Sequence, residues 1–160
     1  MKIILNEIQT QRFQELKDKP PILTDHIASQ TFMHHLTFFL FELKEDHKKS
    51  RQRLRAVRRY VMKFQALCWQ TQEQLKVAKG NSVEVRDLQD KMAECHDRLQ
   101  HYMNLKGLEE KSTELEREAI NSVKAYGQEL CNAFKVEGPE GTSLVWEGRA
   151  YIVPVKTTIV

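Results

Sequence analysis

From Ile22 to Lys79 the chain contains neither Gly nor Pro, and its apolar positions recur in alternating steps of four and three. The series runs Leu36, Leu40, Leu43, His47, Ser50, Leu54, Val57, Val61, Phe64, Cys68, Thr71, Leu75 and Ala78. Such a seam, kept over successive heptads, predicts one long helix over residues 24–79 that pairs with another helix. Gly80 suits the left-handed residue that ends a helix, and Asn81 with Glu84 three residues on resembles a capping box that starts the next.

The second seam follows at once through Val85, Leu88, Met92, Cys95, Leu99 and Tyr102. Its phase slips near Gly107 and resumes through Leu108, Ser112, Leu115, Ala119, Val123, Tyr126, Leu130 and Phe134, so a second long helix is predicted over 82–135. A short connection leaves the two helices no other neighbour within reach, and they should fold back antiparallel. Facing seam residues then share a constant sum of position numbers, as Leu75 with Leu88, Cys68 with Cys95, Phe64 with Leu99 and Val61 with Tyr102 do. Past the slip, Leu43 with Ala119 and Leu36 with Tyr126 fall one lower.

The ends of the chain read differently. In residues 1–23 a short strand or extended arm is expected, then a short helix capped at Asn6 and ending before Pro20-Pro21. In residues 142–160, Leu144-Val145-Trp146 and Ala150-Tyr151-Ile152-Val153 flank Glu147-Gly148, which predicts a β-hairpin with glycine supplying a positive φ. Pro154 should break or edge the second strand, with Lys156–Val160 as a candidate third. The fold class is therefore mainly α with a small β component (α+β). A long antiparallel helical hairpin forms a coiled-coil stalk, and a compact head built from residues 1–41 and 120–160 carries the C-terminal β-hairpin. The whole is read as a single domain.

Charge sharpens the picture at one place. Between Lys48 and Lys63 lie eight basic side chains and no acidic one, in a chain whose formal net charge is only +3. Against this run the antiparallel register brings the glutamates of Leu108–Glu118. Arg51, Arg53 and Arg58 flank the seam, so that Arg53 can reach Glu109 and Lys48 can approach Glu114, and the ordinary reading is charge pairing between helices. Lys49, Arg55, Arg59 and Lys63 point away from the partner helix and are the candidate nucleic-acid-binding residues. No recognition-helix or RNA-binding-sheet motif accompanies them. His47 and Ser50 place polar groups in the seam, where such residues fix register or, for histidine, respond to pH.

Candidate interaction residues are the large apolar side chains that one helical partner cannot bury: Phe32, Phe38 and Phe41 in the head, Met62 and Trp69 at one outward heptad position, and Trp146 and Tyr151 in the hairpin. Phe39 belongs with the same head phenylalanines.

Signatures of chemistry are missing. The chain has no Gly-rich phosphate loop, GxSxG, HExxH or CxxC. His34 and His35 are adjacent and diverge on a helix. Cys68 and Cys95 face each other, with His96 adjacent, and their ordinary reading is small buried apolar residues rather than a metal site. No catalytic, cofactor-binding or metal-ligating residue is assigned, no cofactor is expected, and the chain is read as not an enzyme.

The segment Leu36–Leu43 is too short to span a bilayer and the N-terminus lacks a secretory signal, so no membrane association and a cytoplasmic location are expected. Three cysteines without a scaffold spacing fit a reducing compartment. No named family is recognised; the combination of a helical hairpin, an EGRAY-type terminal β-hairpin and small size is loosely similar to many small phage-encoded proteins. The leading expectation is a non-enzymatic protein–protein interaction or assembly protein, a homo-oligomer or part of a larger assembly, with no small-molecule substrate. Nucleic-acid binding and inhibition or adaptation of a larger enzyme are the alternatives.

Overall fold

The structure, a computed structural model, describes residues 2–78 and 82–156, with side chains from residue 7 onward. Three helices are followed by a two-stranded sheet: α1 (Lys2–Asp18), α2 (His26–Val77), α3 (Ser82–Glu137), β1 (Ser143–Trp146) and β2 (Arg149–Ile152). The chain divides into two compact units, one of residues 1–47 and 115–160 and one of residues 48–114. Both long helices contribute to both units, and α2 and α3 run antiparallel. The proposed turn at Gly80-Asn81 and most of the proposed third strand lie outside the described residues.

In the first unit the core takes Met33, Leu36, Phe39, Leu40 and Leu43 from α2, and Ile120, Val123, Cys131 and Phe134 from α3. The β-hairpin adds Leu144, Trp146, Tyr151 and Val153. These four alternate along the strands, because successive side chains of a strand point to opposite faces. Outward positions Val145 and Ile152 are each 60% exposed. Glu147 and Gly148 form the two-residue turn with φ of 49° and 78°, the pair of positive values that a type I′ turn requires.

The N-terminal expectation needs correction. No strand precedes the helix: α1 starts at Lys2 and runs through Asn6, which is therefore inside the helix and not its cap. Phe13 explains the packing of α1, since its ring stacks on Phe39 at 6.2 Å and meets Tyr126 edge-on at 5.7 Å. Arg12 lies over the Phe39 ring and pairs with Glu42 at 2.9 Å. Phe39, expected to be left over by the helical pairing, is buried, with Phe13 and Arg12 of α1 against its ring.

Helix α2 starts at a cap, Asp25, that the hydrophobic periodicity does not mark. The Asp25 carboxylate accepts a hydrogen bond from the Ala28 amide at 3.1 Å, satisfying one of the free N–H groups of the first turn.

The second unit has a narrow core of Leu54, Val61, Phe64, Cys68 and Cys95, with the small polar residues Ser50 and Thr71 also buried. Tyr102 stacks on both Tyr60 (4.9 Å) and Phe64 (5.4 Å), within a turn of the expected facing positions. Helix α3 continues unbroken through Gly107, so the slip in its apolar pattern is a change of face within one helix.

Candidate interaction surfaces

Seven of the eight basic side chains of this run of α2 sort into two groups, and the eighth, Arg51, is exposed and in no ion pair among the described residues. On the side next to α3, Arg53 donates to Ser50 Oγ at 3.0 Å and lies 4.0 Å from Glu109, the glutamate expected for it. Arg58 lies 3.5 Å from Glu110, which Lys106 also approaches at 3.9 Å. The second group comprises Lys48, Lys49, Arg55, Arg59 and Lys63, all exposed and none in an ion pair among the described residues. Within residues 48–114 fifteen Lys and Arg stand against nine Asp and Glu. Residues 1–47 and 115–160 hold ten against thirteen.

Met62 and Trp69 stand on the same outward side of α2, 69% and 64% exposed. Lys48 and Arg55 share their heptad position, one residue in seven, so cations and apolar side chains form one row.

The apolar candidates of the first unit separate. Phe38 and Phe41 are 64% and 59% exposed, and with Ile27 at 76% they form a strip opposite the core positions of α2. Phe32 is half-buried, its ring edge-on to Tyr126 at 6.3 Å. Trp146 and Tyr151 are not surface residues at all, contrary to expectation. Trp146 is 1% exposed, lies against Gly127 of α3, and donates its indole N–H to the Lys124 carbonyl at 3.2 Å. Tyr151 is 8% exposed and donates its hydroxyl hydrogen to Gln128 Oε1 at 2.7 Å. The strand alternation was legible, but which face met the helices depended on Gly127, whose missing side chain makes the room.

Polar and thiol groups also lie inside the helical pairing. His47 Nδ1 stands 3.7 Å from Glu116 Oε2, both side chains largely buried, and an ion pair forms there when the imidazole is protonated. Cys68 and Cys95 are both buried free thiols in contact. Burial, and then Cys95 beside it, push the Cys68 thiol up. Cys131 is fully buried and its thiol is pushed up to about 11 by desolvation. A thiol so raised is a poor nucleophile at neutral pH. Among the described residues no group of three His, Cys, Asp or Glu could hold a metal ion, and no helix is long and apolar enough to cross a membrane.

These elements define the chain as a helical-hairpin protein with a small terminal β-hairpin packed on its first unit. Comparison with known protein families, with curated proteins and with solved structures finds no match.

Proposed function

We propose that the chain is a non-enzymatic assembly protein that associates with a second copy of itself through the outer strip of α2 in its first unit. The observation that carries this reading is the exposure of Phe38 and Phe41, aligned with Ile27 on one face of a regular helix. Their side chains place apolar surface in water next to a well-formed core, and burying a Phe side chain is worth about 1.5–3 kcal/mol. A strip of this kind is self-complementary about a two-fold axis, where each copy supplies the same patch to the other. Val145 and Ile152 of the sheet are further exposed apolar side chains of the same unit.

Light scattering and sedimentation of the full chain across a hundredfold concentration range test this. A dimer or higher oligomer is expected, which the double variant Phe38→Ser with Phe41→Ser dissociates without loss of helical content. A monomer throughout, or an oligomer indifferent to both substitutions, overturns the reading.

A further inference from the structure

The outer face of α2 in the second unit has no role in the assembly proposed above, and its chemistry differs. We propose that this face, from Lys48 to Trp69, binds single-stranded nucleic acid. Its backbone would run along Lys48, Lys49, Arg55, Arg59 and Lys63, with a base stacked on Trp69.

Three observations carry the assignment. The five cations are exposed and have no ion pair among the described residues, whereas Arg53 and Arg58 of the same run face Glu109 and Glu110. The carboxylates of α3 thus neutralise the inner side of the run and leave the outer side positive. Between Lys48 and Gln72, α2 contributes no acidic side chain to oppose a phosphate. The row also ends on an exposed indole, and Lys48, Arg55, Met62 and Trp69 recur every seven residues along about 30 Å of helix.

The geometry favours one strand over a duplex. A duplex presents phosphates on two strands across a groove, and recognition there uses an element inserted into that groove. Here one helix offers a single line of charge, its other side committed to α3. Backbone-tracking cations beside an aromatic platform are the recurrent means of holding a single strand, because every base has a π-face to stack. Trp69 is exposed, whereas Phe64 of the same helix is buried and stacks on Tyr102 of α3.

The test uses the full chain and a fluorescein-labelled mixed-sequence 20-nucleotide single strand, followed by anisotropy from 50 to 300 mM KCl. Binding is expected at low salt, with log affinity falling against log salt with a slope of about −3 to −4, the value for five phosphate contacts on a single strand. Arg55→Glu with Arg59→Glu should weaken binding at least tenfold. Arg86→Glu with Lys91→Glu, the same charge change on exposed positions of α3, should weaken it less than threefold. Titration should quench Trp69 fluorescence, while the buried Trp146 supplies a constant background. Trp69→Ala should remove the quench and weaken binding about tenfold.

No binding at 50 mM KCl overturns the proposal, as does equal weakening by the α3 pair, tighter binding of a duplex of the same length, or unchanged Trp69 emission at saturation. Co-sedimentation with phosphatidylserine vesicles in place of oligonucleotide binding would reassign the face to a membrane surface. Circular dichroism of each variant keeps loss of fold separate from loss of binding. Neither result bears on the association through Phe38 and Phe41, which is read by mass.

Discussion

Gly127 and Trp146 occupy one another's space: a Cβ built on residue 127 would stand 2.1 Å from indole Cε2 and 2.3 Å from Cζ2. The indole has nowhere to go, because it is 1% exposed and its N–H is committed to the Lys124 carbonyl one turn earlier in α3. Gly127→Ala is therefore expected to destabilise the protein by about 3 kcal/mol, the upper range for overpacking a core. Urea unfolding followed at the Trp146 emission measures it. Trp146→Phe in the same background should recover part of the loss, since the smaller ring leaves room for the methyl group.

The other helix-interior glycine of α3 should respond with the opposite sign. A Cβ at Gly107 would meet nothing within 4 Å, and the residue lies in regular helix. Gly107→Ala then only reduces the conformational freedom of the unfolded chain, and a gain of about 0.5–1 kcal/mol is expected. A loss on substitution would show that the change of apolar face at this point depends on glycine.

Glu147 holds a left-handed backbone conformation, φ 49°, that costs a side-chain-bearing residue about 1–2 kcal/mol. Its carboxylate stands 3.7 Å from both Lys44 and Lys124, contacts that are partly exposed and so together worth less than about 1 kcal/mol. Asparagine tolerates this conformation better, so Glu147→Asn should stabilise by roughly 0.5 kcal/mol. The gain should rise with salt, which screens the lysine contacts of the parent. A lower melting temperature for the variant at high salt would mean that the turn strain is smaller than argued.

Desolvation raises the Cys131 thiol to about 11, well above its ordinary value. A group whose folded pKa exceeds its unfolded one contributes its stability in full below the unfolded value and loses it as pH rises toward the folded value. Stability should thus fall between about pH 9 and 11, by up to roughly 2–3 kcal/mol from this group. Cys68 acts in the same direction. The difference in unfolding free energy between the parent and Cys131→Ala, measured across that window, isolates the contribution. A difference that stays flat with pH would refute it.

Sequence periodicity alone determined the two long helices, their antiparallel pairing and the terminal β-hairpin. Each is written as a local repeat, 3.5 residues for a helical seam and two for a strand, so that no knowledge of distant neighbours is needed. The pairings of Arg53 with Glu109 and of Cys68 with Cys95 were legible for the same reason, because an antiparallel register is arithmetic along two helices. Tertiary structure alone decided what was covered. Phe39 and Trp146 look alike in sequence to Phe38 and Trp69, yet the first pair is buried and the second exposed. The difference comes from Phe13 of α1 and from the bare backbone at Gly127, contacts between residues 19 to 26 positions apart that no local repeat encodes. Burial of a large side chain is a property of its neighbours' shapes, and those become neighbours only when the chain has folded.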